Sequence, residues 1–263
     1  MGVLMRVLMR VLMRVLILGG STEGSALARA LAGDARFAPV LSLAGRTAAP
    51  VLPPVTVRIG GFGGAAGLAA WLRAERIGAI VNATHPFAAR MAANAVAAAG
   101  ATATPLLHLL RPAWAPEPGD DWQAVPDMAA AARALGDAPR RVLLTVGRQE
   151  LAPFVAAPQH FYLIRSVDPP PQEALPPRAR VIAARGPFDA AGERALLRDH
   201  AIGVLVTKNA GGGATAAKLE AARAARLRVV MVARPPPPAG ETVPDVAQAL
   251  PWLGRVHGAW RGV

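Results

Sequence analysis

Residues 15–24 read VLILGGSTEG, an apolar run that stops at two glycines and continues into two small hydroxyl residues. An Ala- and Leu-rich segment with helical character, residues 25–32, comes next. The pattern predicts a strand, a tight turn and the start of a helix. Exposed N–H groups at a helix start favour a bound phosphate, and glycine lets the backbone approach a ligand closely. The stretch therefore predicts a nucleotide-binding β–α unit.

The same residues allow a second interpretation. The motif is not the G-x-G-x-x-G dinucleotide fingerprint, and Ser21 has the side chain of an ordinary helix N-cap. From this stretch alone, nucleotide binding and a plain β–α turn are equal alternatives, and the rest of the chain has to distinguish them.

The length and composition are those of a globular protein with a sizeable core. The chain has 263 residues, 53% of them hydrophobic, which corresponds to one large or two ordinary domains. It has no cysteine, which excludes a disulfide framework and a thiolate metal site and fits a reducing, cytoplasmic location. With only five histidines in addition, no metal site is expected.

The net charge of +12 predicts an anionic partner. Arginine supplies nearly all of the positive charge, because Lys208 and Lys218 are the only lysines. A nucleic acid, a phosphorylated cofactor and a polycarboxylate are the classes to consider. The basic residues are scattered and aromatics are only 5% of the chain, so nucleic acid is not expected.

The N-terminus repeats the tetrapeptide VLMR three times over residues 3–14. An arginine every four residues interrupts the apolar run, which argues against a signal peptide and against a membrane span. We interpret residues 1–10 as an extension ahead of the first strand, with a membrane-surface helix as a minor alternative.

Strand and helix patterns alternate along the rest of the chain, which predicts an α/β protein with mainly parallel sheets. Predicted strands cover residues 11–18, 40–43, 55–59, 79–82, 103–110, 142–146, 160–165, 180–183, 203–207 and 228–232, and a terminal helix covers 246–253. A segment rich in proline and acidic residues separates the two series. We therefore predict two Rossmann-like doubly wound domains, residues 11–113 and 125–263, joined by a linker over 114–124, with the ligand cleft between them.

Arg46 follows the second predicted strand, where dinucleotide folds recognise the ribose. An acid at this place accepts the 2′-OH, whereas an arginine suits a 2′-phosphate. Since no Asp or Glu lies between residues 39 and 54, the sequence favours NADP over NAD. A solvated surface arginine is the alternative. The other predicted cofactor-binding residues are Gly19, Gly20, Ser21, Thr22, Glu23, Gly61, Phe62, Gly63 and Thr84.

Polar residues at other strand ends are candidates for the substrate and for catalysis. Converging cations suit carboxylates, although two surface cations are the alternative. His85 and Lys208 are the candidate proton donors, and His85 also fits a structural hydrogen-bonding role. The predicted substrate-binding residues are His85, Thr145, Gly147, Arg148, Lys208 and Asn209.

Several enzyme classes lack their motifs. The chain has no H-E-x-x-H, no G-x-S-x-G and no Walker A sequence, which argues against a zinc protease, an α/β-hydrolase and a P-loop NTPase. The only tyrosine, Tyr162, has Ser166 four residues later, so the Tyr-x-x-x-Lys pair of many carbonyl reductases is absent as well.

Six strings in order resemble the precorrin-6A reductase family over roughly residues 11–253. They are LILGGSTEG (16–24), GGFGG (60–64), NATHPF (82–87), RPAW (111–114), LTVGRQEL (144–151) and VTKNAG (206–211). Each string alone is weak, and the six in this order are specific.

The resemblance implies an enzyme of cobalamin biosynthesis. Such an enzyme uses NADPH to reduce a C=C/C=N system of the precorrin-6A macrocycle, giving precorrin-6B, or acts on the cobalt form. It implies NADPH in the first domain and a polycarboxylate tetrapyrrole held mostly by the second, with no membrane and with neighbouring pathway enzymes as possible partners. The alternatives are another NADP-dependent oxidoreductase and a non-enzymatic nucleotide- or polyanion-binding protein.

Overall fold

The computed structural model describes residues 12–45 and 50–262. The predicted extension at residues 1–10 and the predicted ribose-reading Arg46 lie outside the described residues. Within them the chain forms two compact units: the first holds residues 12–45, 50–110 and 237–262, and the second holds residues 111–236.

Helices and strands are interspersed throughout the described residues, as the sequence predicts, although four pairs of consecutive strands have no α-helix between them. In chain order they are β1 (Met13–Leu18), α1 (Thr22–Leu31), β2 (Phe37–Leu43), β3 (Thr56–Ile59), α2 (Gly64–Ala74), β4 (Ile77–Asn82), α3 (Ala89–Thr102), β5 (Leu106–Leu109), β6 (Asp121–Val125), α4 (Met128–Arg133), β7 (Arg141–Thr145), α5 (Ala152–Val155), β8 (Phe161–Ser166), β9 (Ala179–Ala183), α6 (Ala190–Asp199), β10 (Val204–Lys208), α7 (Ala217–Ala224), β11 (Arg228–Val232), β12 (Glu241–Val243) and α8 (Val246–Arg261).

Each unit is built on one six-stranded parallel sheet. In the first unit the strand order is β3-β2-β1-β4-β5-β12, and in the second it is β9-β8-β7-β10-β11-β6. Every neighbouring pair is parallel. The first order is the 3-2-1-4-5-6 arrangement of dinucleotide-binding folds, and the second shares its 3-2-1-4-5 part with a strand that precedes the others in the sixth position. In such folds ligands bind where the strand order reverses. The predicted fold class, two parallel-sheet α/β domains, is confirmed.

The sixth strand of each unit comes from an unexpected part of the chain. β6 precedes the other strands of the second unit, and β12 joins β5 of the first unit after the chain has completed the second. The predicted boundaries are therefore wrong in two places. The presumed linker 114–124 contains most of β6, which pairs with β11, and residues 237–262 belong to the first unit instead of the second.

The core of the first unit explains why its central strand reads as a continuous apolar run. Val15 and Ile17 pack on one face of the sheet, in a cluster that includes Leu27 and Trp252. Leu16 and Leu18 pack on the other face, in a separate cluster with the helices α2 and α3. A parallel sheet covered by helices on both faces buries alternate residues on opposite sides, so both sets are apolar.

Trp252 and Leu253 of α8 also show why the C-terminal segment was misassigned. They are buried in the core of the first unit, although the chain reaches them only after it has passed through the second. An amphipathic pattern identifies a helix and its buried face but not the sheet that the helix covers. Within the described residues, no helix is long and apolar enough to cross a membrane.

Candidate functional site

The turn after β1 lies at the point where the strand order of the first unit reverses. Ser21 is the N-cap of α1, and its Oγ accepts a hydrogen bond from Gly24 N at 3.1 Å. The same hydroxyl donates to the carbonyl of Ala83 at 2.6 Å. Ala83 follows β4, the strand on the other side of the reversal. One side chain thus caps the helix and joins the two loops at the predicted nucleotide site.

Three glycines shape this turn for different reasons. A Cβ at Gly19 would lie 2.6 Å from Leu41 Cδ1 on β2, and a Cβ at Gly24 would lie 3.1 Å from Ala83 Cβ. Gly20 has a φ of +120°, with nothing close to its Cβ position. The turn therefore brings helix and sheet into close contact and leaves an open backbone at Gly20, which is the geometry that a phosphate needs. Thr22 and Glu23 form the first turn of α1.

The glycine loop after β3 is held by Arg58, which the sequence analysis did not single out. Its guanidinium donates to the carbonyls of Gly60 and Gly61 at 2.7 and 2.6 Å. It also stacks on the ring of Phe62 at 3.8 Å, and that ring packs edge-on against Trp71 at 5.4 Å. Phe62 therefore packs within its own unit, and the ligand contact predicted for it would have to involve the ring's remaining face.

The loop after β4 contains a buried polar network. Thr84 Oγ1 donates to Asn82 Oδ1 at 2.8 Å, and the Asn82 amide lies 2.9 Å from His108 Nδ1. His108 Nε2 in turn lies 3.1 Å from the Ala239 carbonyl. Asn82 and His108 were not among the predicted site residues, although Asn82 stands in the quoted NATHPF string. Asn82 could have been identified from the sequence as the polar last residue of an apolar predicted strand.

His85 is placed by the same loop. Its Nδ1 accepts the backbone N–H of Phe87 at 3.3 Å, and the two rings are 5.8 Å apart. In the neutral imidazole this acceptor role leaves the proton on Nε2. The bond matches the structural alternative that the sequence offered for His85.

Removal of the Ser21 hydroxyl has a predictable cost. Ser21→Ala takes away the N-cap, which is worth about 1 kcal/mol, and leaves the Ala83 carbonyl without this donor. We expect the free energy of unfolding to fall by about 1–3 kcal/mol. Ser25→Ala is the matched control, since the Ser25 hydroxyl makes a weaker bond, at 3.4 Å to the Ser21 carbonyl. Equal losses in the two variants in chemical unfolding would contradict the bridging role.

The reversal of strand order in the second unit brings together residues from the ends of β7 and β10. Lys208 Nζ pairs with Glu150 Oε2 at 2.7 Å, and the same oxygen accepts Gly147 N at 2.8 Å. Thr145 Oγ1 donates to the Val206 carbonyl between the same strands at 3.3 Å. Arg148 follows Gly147 in a short 3₁₀ turn. Three of the predicted residues, Thr145, Gly147 and Lys208, therefore lie at this point, and Glu150 is the counter-charge that sequence reasoning missed.

The side chain of Asn209, a predicted substrate-binding residue, is hydrogen-bonded within the second unit. Its Oδ1 accepts Trp114 N at 2.8 Å, and its Nδ2 donates to the Trp114 carbonyl at 2.9 Å. Trp114 Nε1 donates to Gly212 at 3.0 Å, and Arg111 Nε donates to the carbonyl of Ala210 at 2.8 Å. The RPAW string therefore clamps the loop after β10, and the side chain of Asn209 is engaged in that clamp.

The loop that the clamp holds leads to a buried group of charges. Lys218 on α7 is 4% exposed, and its ammonium lies 4.9 Å from the Trp114 ring. Burial lowers the pKa of Lys218 to about 7, with the positive charges of Arg165 and Arg111 acting in the same direction and Glu193 opposing them. Arg165 pairs with Glu193 at 2.6 Å. The described part of the chain contains no group of three residues that could hold a metal ion.

These features define a class of protein: a two-unit, Rossmann-like α/β protein with a glycine turn at one reversal of strand order and paired charges at the other. A model of the family described as "Precorrin-6x reductase CbiJ/CobK" matches residues 14–254. The precorrin-6A reductase of Rhodococcus erythropolis is 53% identical over 239 residues, 90% of this chain and 96% of the relative. That of Rhodobacter capsulatus is 50% identical over 248 residues, 94% of this chain and 98% of the relative.

A solved structure named "CobK precorrin-6A reductase" is similar with a TM-score of 0.88 and 49% identity, and the match covers 93% of this chain and 97% of that one. A cobalt-precorrin-6A reductase of Priestia megaterium is 31% identical over 171 residues, 60% of this chain and 65% of the relative. The chain belongs to the precorrin-6x reductase family, as the six sequence strings predicted.

Proposed function

We propose that this protein reduces the precorrin-6A macrocycle to precorrin-6B with NADPH, as a step of cobalamin biosynthesis in the cytoplasm. The observation that carries the proposal is the glycine turn at the reversal of strand order in the first unit, in a chain that is about half identical to relatives named precorrin-6A reductase. The greater identity to these relatives than to the cobalt-precorrin-6A reductase of Priestia megaterium supports the cobalt-free macrocycle as substrate.

The turn after β1 supports the binding of a dinucleotide phosphate. Ser21 caps α1, Gly20 leaves the backbone open, and Gly24 lets α1 approach β4. A pyrophosphate at this helix start would meet the N–H groups and the positive end of the helix dipole. The bound NADPH would supply the hydride, while the protein positions the ring system and keeps water away.

The charges of the second unit support a polycarboxylate substrate. Lys208 and Arg148 stand at its strand reversal. Lys218, Arg165 and Arg111 act electrostatically on one another with Glu193 as the opposing charge, so that group carries an excess of positive charge when Lys218 is protonated. A tetrapyrrole that carries many carboxylates would be attracted to such a unit in a protein of net charge +12.

The macrocycle must gain a proton as well as a hydride. His85 and Lys208 stay the candidates for its source. The Nδ1 of His85 is occupied as an acceptor, so a proton would leave from Nε2. Lys208 Nζ pairs with Glu150 Oε2 at 2.7 Å, so a proton that leaves Lys208 would leave from within that ion pair.

The cofactor assignment depends on Arg46, and a single substitution tests it. Arg46→Ala should weaken NADPH by about 1–3 kcal/mol, as expected for the loss of a charge-assisted contact with the 2′-phosphate, and leave NADH nearly unaffected. Dissociation constants or KM values for the two cofactors measure the difference. An equal loss for both would reject the 2′-phosphate contact, and Arg29→Ala, an exposed arginine on α1, is the control for the change of net charge.

A further inference from the structure

A chain of hydrogen bonds in the first unit connects the loop after β4 to the segment that enters β12. Thr84 donates to Asn82 Oδ1 through Oγ1 at 2.8 Å and through its backbone N at 3.3 Å. The amide of Asn82 meets His108 Nδ1, and His108 Nε2 meets the carbonyl of Ala239, at 2.9 and 3.1 Å. Asn82 and His108 are buried, at 6% and 1% exposure.

The donor and the acceptor of each hydrogen bond in this network follow from the Ala239 carbonyl at its end and from the protonation of His108. A carbonyl oxygen only accepts, so His108 Nε2 carries the proton that is donated to Ala239. Burial lowers the pKa of His108, against the opposing effect of that bond, so the imidazole is neutral and Nδ1 holds a lone pair. Asn82 Nδ2 therefore donates to Nδ1, and the oxygen of the Asn82 amide faces Thr84.

We propose that Asn82 and His108 are positioning residues for cofactor binding: the Nε2–H tautomer of His108 orients the Asn82 amide, and Asn82 holds Thr84 where it contacts NADPH. The inference rests on the proposed cofactor site, because Thr84 is one of its residues. The proposed role of Asn82 and His108 involves no direct contact with the cofactor. Both act through Thr84.

The position of the network in the chain gives it a second attachment. His108 lies just before Leu110, where the chain leaves the first unit, and Ala239 lies just after Pro237, where the chain returns. Leu110 N also donates to the Val243 carbonyl at 2.9 Å. The loop that carries Thr84 is thus fixed to both ends of the excursion through the second unit, and a buried hydrogen-bonded network of this kind holds one conformation.

Two substitutions of Asn82 separate positioning from simple packing. Asn82→Leu has nearly the same shape but leaves the Thr84 N–H and the His108 Nδ1 without partners. Asn82→Asp offers one carboxylate oxygen to Thr84 and the other to a doubly protonated His108, which still donates to Ala239. The acidic variant therefore keeps Thr84 in place, although it changes the charge of the buried pair.

The experiment compares the intact protein with Asn82→Leu, Asn82→Asp and His108→Phe. We expect amide hydrogen exchange at Thr84 to rise about tenfold in the leucine and phenylalanine variants, with a matching weakening of NADP⁺ binding of about fivefold or more. Asn82→Asp should stay within about twofold of the intact protein in both measurements. His200→Gln, a change of a histidine in the second unit, is the control and should alter neither.

Nitrogen NMR of the His108 ring supplies a readout that a packing role would not change. The intact protein should show a neutral ring protonated at Nε2, and Asn82→Asp should show both nitrogens protonated near neutral pH. If Asn82→Asp loses as much NADP⁺ affinity and Thr84 protection as Asn82→Leu, or if Asn82→Leu loses none, the positioning role is wrong. Should His108→Phe fail to fold, the two Asn82 variants decide the matter.

Failure of the intact protein to bind NADP⁺ would reject the proposed cofactor and, with it, the functional half of this inference. The exchange rate at Thr84 and the ring protonation need no cofactor, so they would still decide whether His108 and Asn82 hold that loop. The two failures are therefore distinguishable.

Discussion

Replacement of Lys218 by methionine is expected to stabilise the folded protein, and to do so more at low pH than at high pH. Burial lowers the pKa of Lys218 from 10.5 to about 7. The unfolded chain therefore binds this proton more tightly than the folded one. The resulting destabilisation is absent above the unfolded pKa, grows as the pH falls toward about 7, and is complete below that value.

Each unit of pKa shift corresponds to about 1.4 kcal/mol. Because the contact with Trp114 offsets part of the loss, we expect Lys218→Met to raise the free energy of unfolding by about 2–4 kcal/mol near pH 6. The gain should nearly vanish at about pH 10.5. Chemical denaturation of the two proteins at both pH values, followed by tryptophan fluorescence, measures it.

Lys208→Met is the matched control, since Lys208 is the other lysine and is paired with Glu150 at 2.7 Å. Because it breaks that ion pair, it should not stabilise the folded protein. A stability difference for Lys218→Met that is the same at both pH values would show that packing, and not the buried charge, causes it.

Replacement of Gly211 by alanine is expected to destabilise the folded protein strongly. Gly211 has a φ of +67°, a conformation that costs a residue with a Cβ about 1–2 kcal/mol. A Cβ there would also overlap the carbonyl of Pro112 and lie 2.6 Å from Arg234 Nη2. The substitution thus pushes apart the loop after β10 and the segment that clamps it, and we expect a loss of more than about 3 kcal/mol.

Gly136→Ala separates the two contributions. Gly136 has a similar φ of +72°, but nothing lies within 4 Å of its Cβ position. It should cost only the backbone strain, about 1–2 kcal/mol. Equal losses in the two variants, measured by thermal or chemical unfolding, would mean that the close approach between Gly211 and Pro112 does not matter for stability.

The local elements of this protein were predictable because their patterns are local. The run of four apolar residues before Gly19 identified β1, and the residues after it identified the capped start of α1. Both depend on neighbours in the chain, on strand burial and on capping chemistry. The parallel sheets followed from the alternation of strands and helices.

The sheet that each sixth strand joins could not be predicted from local patterns. β12 has three residues, and whether it pairs with β5 or with a strand of the second unit depends on contacts far apart in sequence. The alternation of elements is the same in either case. The predicted boundary at residue 125 therefore placed α8 and β12 in the wrong unit.

Side-chain partners were the least predictable feature of the candidate site. Asn209 stands at a strand end, where a ligand contact is a reasonable expectation, but both ends of its amide are paired with the backbone of Trp114. Glu150 in a short 3₁₀ turn and Arg58 at the end of β3 were missed, because an ordinary charged residue gives no signal until its partner is known. Arg46 lies outside the described residues, so its role stays a prediction.

The most direct test of the proposed function is the anaerobic consumption of NADPH by the purified protein in the presence of precorrin-6A. We expect NADPH oxidation that requires the macrocycle, matches it mole for mole, and yields a product that has gained one hydride and one proton. NADH and the cobalt form of the macrocycle should be poorer substrates. A folded protein that binds the macrocycle but oxidises no NADPH would contradict the account.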